Sequence, residues 1–266
     1  MDVLGKSHVR QDGKDMVLGE SQFVDDLEPK NVLYGAVVRS GRAHARILKI
    51  NTNKALSYPG VACVLTSEDV PNNAYGPSIP DQVILCSDKV RYEGDPVVAL
   101  CAKSWEAAEE AARLVEIDYE DLPPVFSPEE ALDQNSFPIH ESHPTGNLVT
   151  EGKVVKGDAE SGFEEADFII EARYKTQAQE HASIETHICM AEVNTNGHLT
   201  VHVSSQTPFR IRADLAIILK VPISEIRVLS STAGGAFGGK HEIMLESLAA
   251  LCALKTRCPV KFRMSR

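Results

Sequence analysis

Apolar residues recur along this chain at every second position in some stretches and every third or fourth in others. Residues 32–38 and 45–50 follow the two-residue period and predict strands. Residues 61–66 predict a third, set off by the Pro59-Gly60 turn. Residues 69–81, rich in Pro, Asn and Gly, predict a loop. Residues 96–102 form an unbroken apolar run short enough for a buried strand. A helix follows, with Ser104 as N-cap, Ala107, Ala108, Ala111 and Ala112 inward, Glu106 in the first turn and Leu114 at its end. Glu106, Glu109 and Glu110 read as its solvated face, Trp105 as a packing residue and His44 as a structural histidine. Residues 115–119 alternate again, closing an α+β block near Leu122.

Residues 123 to about 156 are rich in Pro, Ser, Asn, His and Gly and read as an interdomain segment. Strands are predicted at 167–176, 199–204 and 226–230, and a helix at 208–219 with Pro208 at its start. The loop Ala233-Gly234-Gly235-Ala236-Phe237-Gly238-Gly239-Lys240 comes next. Residues 242–255 predict a helix whose apolar face is Ile243, Leu245, Leu248, Ala249, Leu251 and Cys252. Residues 259–266 read as a strand and the start of something further, so the fold is expected to be unfinished. The resulting organisation is a domain at 16–122, a linker at 123–165 and an incomplete domain at 166–266.

The net charge of −11 argues against a nucleic-acid or anionic-membrane partner, since both need a basic stripe. The longest apolar runs, such as 249–254, are far too short to cross a bilayer, and residues 1–14 carry no apolar core of a signal peptide. A cytoplasmic location is therefore expected. The six cysteines (Cys63, Cys86, Cys101, Cys189, Cys252 and Cys258) are scattered and read as reduced, mostly buried thiols. Without clustered spacing, no metal or iron–sulfur site is expected among them. His140-Glu141-Ser142-His143 is one residue short of the helical zinc motif and reads as linker. His181, Glu185 and His187 suggest either a metal cluster or structural hydrogen bonding, and Met190 reads as core.

A strand, a glycine-rich loop and a helix together make a common anion cradle. Gly234 to Lys240 fits G-x-x-x-x-G-K, but His241 stands where a P-loop needs Ser or Thr to hold Mg²⁺.

At this loop the chain resembles the xanthine dehydrogenase and aldehyde oxidase family of molybdenum hydroxylases. Gly234-Gly235-Ala236-Phe237-Gly238-Gly239-Lys240 is similar to the family's G-G-G-F-G-G-K. The segment from Gln179 through Glu180, His181 and Glu185 to Thr186 is similar to its Q-E-H-x-x-x-E-T, and Ser205-Gln206-Thr207-Pro208-Phe209 to its helix opening ahead of the loop. Phe23 to Asp26, Val38-Arg39-Ser40, Ala43 to Ile47 and Val90 to Val97 resemble its α/β-hammerhead domain. The resemblance implies an α/β-hammerhead followed by the first part of a molybdopterin-binding domain. It implies a hydroxylase that places water-derived oxygen on an N-heterocycle (purine or nicotinate-like) or an aldehyde, with electrons leaving through iron–sulfur clusters to FAD on partner subunits.

Carried over by residue, Gln179 would hydrogen-bond the molybdenum–molybdopterin group, in mononucleotide or cytosine dinucleotide form. The backbone at Gly235, Ala236, Phe237 and Gly238 would approach it. His241 and Glu242 would face the substrate, His241 standing where xanthine-oxidising relatives carry Glu. No catalytic general base matching the family's is expected in this chain, so activity would require a C-terminal molybdenum-binding chain. Two other readings remain open from sequence: a non-catalytic assembly subunit, and a P-loop nucleotide-binding protein.

Overall fold

A computed structural model describes residues 4–76 and 79–266; residues 1–3, and Pro77 and Ser78 of the predicted 69–81 loop, lie outside the described residues. After a short helix α1 (Gly13–Leu18), strands β1 (Leu33–Arg39) and β2 (Ala45–Asn51) lead to helix α2 (Asn53–Leu56) and β3 (Val61–Leu65). The short strands β4 (Ala74–Tyr75) and β5 (Gln82–Val83) pair with each other inside the region expected to be only loop, and β6 (Lys89–Val90) follows. The apolar run predicted at 96–102 is β7 (Pro96–Ala102), buried from Val97 onward. Helix α3 (Trp105–Arg113) begins where predicted, with Ser104 Oγ accepting the Ala107 N–H at 3.2 Å. Strand β8 (Glu116–Asp121) then pairs with β2, placing Ile117 and Tyr119 against Ala45 and Val90.

Residues 123–180 form a compact unit of their own, with two short helices, α4 (Pro128–Ala131) and α5 (Ala159–Glu164). The strand predicted at 167–176 is absent. Its alternation exists, but no strand edge pairs with it among the described residues, and Phe168, Ile170 and Tyr174 are exposed. A period of two specifies a strand only where a neighbouring ladder satisfies its backbone.

The rest of the chain, 181–266, belongs to one compact unit with 4–122. It adds β9 (Ile188–Val193), β10 (Leu199–Val203), helix α6 (Pro208–Leu219), β11 (Ile226–Ser230), helix α7 (Glu246–Thr256) and β12 (Val260–Arg263). One seven-stranded sheet, ordered β11-β10-β9-β12-β1-β7-β3, crosses the boundary drawn at residue 122. The join is the parallel pairing of β12 with β1, where Leu33 stands opposite Val260 and Gly35 opposite Phe262. Gly35 allows this because a Cβ there would fall 2.2 Å from the Phe262 ring.

Strands β10 and β11 are parallel and linked through α6, so the glycine loop leaves the end of β11 at one edge of the sheet. Helix α6 buries Ile211, Leu215, Ile218 and Leu219. Helix α7 differs from expectation. It starts at Glu246, because the Glu246 carboxylate accepts the N–H groups of Met244 and Leu245 at 2.8 and 3.0 Å and ties down the preceding turn. It also has no solvent face from Glu246 to Ala253, since it lies among α6, β3, β9, β10 and β12.

Burial raises the pKa of Glu246 above the usual carboxylate range. The folded chain therefore holds this proton more tightly than the unfolded one, and the residue's cost to stability grows as pH rises through the unfolded value. Glu246→Gln should raise the thermal midpoint near pH 7 and change it least at about pH 4, close to the ordinary carboxylate value. Melting curves across that range check this; a pH-independent difference contradicts it.

Candidate functional site

The glycine loop is held from two sides by segments of its own unit. On the first side, Lys240 turns inward, its side chain only 1% exposed, and its Nζ donates to Glu185 Oε2 at 2.7 Å and Ser204 Oγ at 2.9 Å. The same Glu185 oxygen accepts the Gly234 N–H at 2.9 Å and the Ser204 hydroxyl, while Gly234 O accepts the Glu185 N–H at 3.1 Å. One carboxylate thus fastens both ends of the loop. His187 Nε2 donates to Gly239 O at 2.8 Å, which fixes the proton on that nitrogen because a carbonyl can only accept. Of the two readings of His181, Glu185 and His187, these bonds favour the structural one.

On the second side, the junction between β10 and α6 supplies polar groups. The Lys240 carbonyl accepts from Gln206 N at 3.0 Å and Ser205 Oγ at 3.1 Å, and the His241 carbonyl accepts from Thr207 Oγ1 at 2.6 Å. Gln206 Oε1 accepts the Gly238 N–H at 3.0 Å.

The glycines answer two different demands. A Cβ on Gly234 would sit 2.5 Å from the Glu185 Cβ, and one on Gly239 would sit 2.9 Å from the His181 ring, so these two are set by packing on 181–187. Gly235 and Gly238 have φ of +102° and +94°, which disfavours any side chain. Between them Phe237, at φ +53°, adopts a left-handed conformation rare for a bulky residue and leaves its ring 75% exposed. The amides of Gly235, Ala236 and Phe237 donate to no described residue. Three consecutive main-chain donors thus flank an exposed aromatic ring, with no charged side chain among them. This arrangement can receive a neutral or anionic group rich in acceptor atoms.

Of the residues singled out from sequence, Gly235, Ala236, Phe237 and Gly238 come together here; the Gly238 amide is taken by Gln206, and a Cβ on Gly238 would meet the His181 ring at 3.7 Å. His241 and Glu242 line a cavity of about 270 Å³ together with Tyr75, Thr207, Arg210, Asp214 and Ile243. Arg210 Nε is held by both Asp214 oxygens at 2.9 Å, which fixes the guanidinium at the wall. Burial pushes the Tyr75 hydroxyl up, so it stays neutral, and it donates to Ile243 O at 3.5 Å. Gln179 belongs to the 123–180 unit; its side chain is exposed and its Oε1 accepts from Gln177 Nε2 at 3.4 Å.

Sequence reasoning missed Ser204, Arg210 and Tyr75, and it placed Gln206 in the motif at 205–209 without giving it a role in the site. The run of polar residues between β10 and the Pro208 helix start was the available signal for Ser204; nothing in the pattern marked Tyr75. The P-loop reading fails on Lys240, because a phosphate-binding lysine must reach out of the loop and this one is buried in an ion pair.

A family model described as a molybdopterin cofactor-binding domain matches residues 139–266, and one described as the aldehyde oxidase and xanthine dehydrogenase a/b hammerhead domain matches 18–123. A probable xanthine dehydrogenase subunit of Bacillus subtilis is 40% identical over 98% of this chain and 35% of its own length. The nicotinate dehydrogenase large molybdopterin subunit of Eubacterium barkeri is 34% identical over 99% of this chain and 62% of its own. Among solved structures, the aldehyde oxidoreductase of Desulfovibrio gigas superposes with a TM-score of 0.90 at 30% identity, over 96% of this chain and 30% of that one. The chain spans between about a third and two thirds of these relatives. No helix of the described residues is long and apolar enough to cross a membrane.

Removing Lys240 leaves a buried carboxylate without its cation. Lys240→Met should cost about 3–5 kcal/mol of unfolding free energy, and adding Glu185→Leu should restore only part of it, since the buried charge goes but the Gly234 amide and Ser204 hydroxyl lose their acceptor. Denaturant midpoints of the two variants decide this; equal losses in both contradict it.

Proposed function

We propose, for a chain that belongs to the aldehyde oxidase and xanthine dehydrogenase family, that the glycine loop forms one wall of a molybdopterin site in the N-terminal part of a hydroxylase's molybdenum subunit. The observation that supports this best is the run of unpaired amides at Gly235, Ala236 and Phe237 beside an exposed ring. Such donors suit the acceptor atoms of a pterin and of oxo ligands, and exposed Phe237 and Gly238 leave this part of the loop accessible. When bound, the molybdenum–pterin supplies the redox chemistry by which water-derived oxygen enters a C–H bond. The chain's own task is to hold that group by main-chain donors that carry no net charge, with Phe237 covering it from water. Gln179 enters this proposal on the likeness of residues 179–186 to the family segment.

The cavity at His241 and Glu242 is the substrate recess in this reading. Its volume falls below that usual for drug-sized ligands, which favours a small N-heterocycle or an aldehyde. Arg210, oriented by Asp214, and Glu242 supply hydrogen bonds of opposite sense, and Tyr75 closes one side. The general base is assigned to the part of the relatives that this chain does not span, and the iron–sulfur and FAD groups to partner subunits.

Ala236→Pro removes one of the three free amides without adding bulk at a glycine. In the purified complex it should lower retained molybdenum by about 10–100-fold under competition, the worth of a hydrogen bond to a charged group. Metal analysis with a melting curve on the same sample checks this. Full molybdenum content in a folded variant contradicts the cofactor assignment. His241→Ala should raise KM several-fold and leave molybdenum content unchanged; steady-state kinetics and metal analysis read both.

A further inference from the structure

The sequence scatters its cysteines, yet the fold gathers three of them. Cys63 on β3, Cys101 on β7 and Cys252 on α7 have ligand atoms all within 4.8 Å of one another, and Cys63 and Cys101 sulfurs are 3.4 Å apart. All three are buried, Cys63 being the most accessible at 4%. Cys63 sits beside a register irregularity in the β3–β7 ladder, and Cys252 reaches it from the helix that follows the glycine loop. Cys86 and Cys189 are also buried but lie outside this cluster, as ordinary small apolar residues do.

We propose that Cys63, Cys101 and Cys252 form a three-thiolate site for a soft closed-shell cation, Cu(I). Thiolates select soft ions, and no fourth ligand atom joins the group among the described residues. Zinc prefers four ligands in structural sites, and iron–sulfur clusters are ordinarily held by four residues, so a three-sulfur set fits neither well. The sulfurs lie in the range a trigonal ion could draw together, 3.4 Å apart for Cys63 and Cys101 and no more than 4.8 Å for any pair. Bonds of about 2.3 Å, the zinc–thiolate length, to three coplanar sulfurs would set those sulfurs about 4 Å apart. Lys255 is fixed at this edge by Val64 O at 3.4 Å and Asp69 Oδ1 at 2.7 Å. Loading releases the thiol protons to solvent and changes no oxidation state. The ion enters as the chain folds or opens locally, and it ties β3 and β7 to α7.

The reduced full chain, titrated anaerobically with Cu(I) against a chromophoric chelator, should retain one Cu(I). X-ray absorption of the loaded chain should count three sulfur neighbours. Cys63→Ala and Cys252→Ala should each weaken retention by more than about 100-fold, since even an outer-shell partner is worth about 10–100-fold. Cys86→Ala and Cys189→Ala should leave it unchanged. If the cluster variants do not fold, the sulfur count of the unaltered chain decides. No retained Cu(I), a count of two sulfurs, loss on replacing Cys86 or Cys189, or tighter four-coordinate binding of Zn(II) would each overturn the proposal.

Discussion

The Lys240–Glu185 ion pair is the interaction on which the candidate site depends. Its energy lies in confinement. Lys240 is withdrawn from water, and Glu185 Oε2 gathers the ammonium, the Ser204 hydroxyl and the Gly234 amide at one point. A charge so placed cannot leave its partner cheaply, so both ends of a seven-residue glycine-rich loop are fixed relative to β10 and the 181–187 segment. The Gly239 amide closes a turn onto the Ala236 carbonyl at 2.8 Å, so the middle of the loop keeps its Gly235, Ala236 and Phe237 amides available but is not free to wander. This combination leaves amides available without making them mobile, as pre-organised recognition requires.

The glycines are divided between this anchoring and the site. Gly234 and Gly239 are small because Glu185 and His181 press against them. Gly235 and Gly238 are small because the chain turns through positive φ there. Phe237 accepts a left-handed backbone without being a glycine, and its ring stands in the open. Strain of this kind in a loop that presents free donors is a feature of ligand sites. The cavity at His241 and Glu242 continues from the same anchor, since Thr207 holds the His241 carbonyl and Gln206 holds Gly238.

Much of this was legible in the sequence where a local rule decides the outcome. The apolar run of β7, the alternation of β10, the Ser104 cap and Pro208 at the start of α6 each fix an element without help from afar. The α/β-hammerhead followed by a molybdopterin-binding domain came from motif order, as did the loop itself. What escaped was set by partners distant in sequence. Strand β9 exists because β10 and β12 flank it; residues 167–176 alternate as well but meet no such edge. Helix α7 shows a single apolar face in its residue pattern and is covered on every side in the fold. Lys240 read as a loop cation, and only Glu185, 55 residues earlier, reveals it as an anchor. The cysteine cluster joins positions from three elements, which no spacing rule could assemble.

Amide hydrogen exchange across residues 234–240, compared in cofactor-free and molybdenum-loaded complex, tests the central claim most directly. The amides of Gly234 and Gly239 should be protected in both states. Those of Gly235, Ala236 and Phe237 should exchange fast without the cofactor and slow markedly with it. Slow exchange at all five amides without cofactor, or no change at Gly235 to Phe237 on loading, would contradict the account.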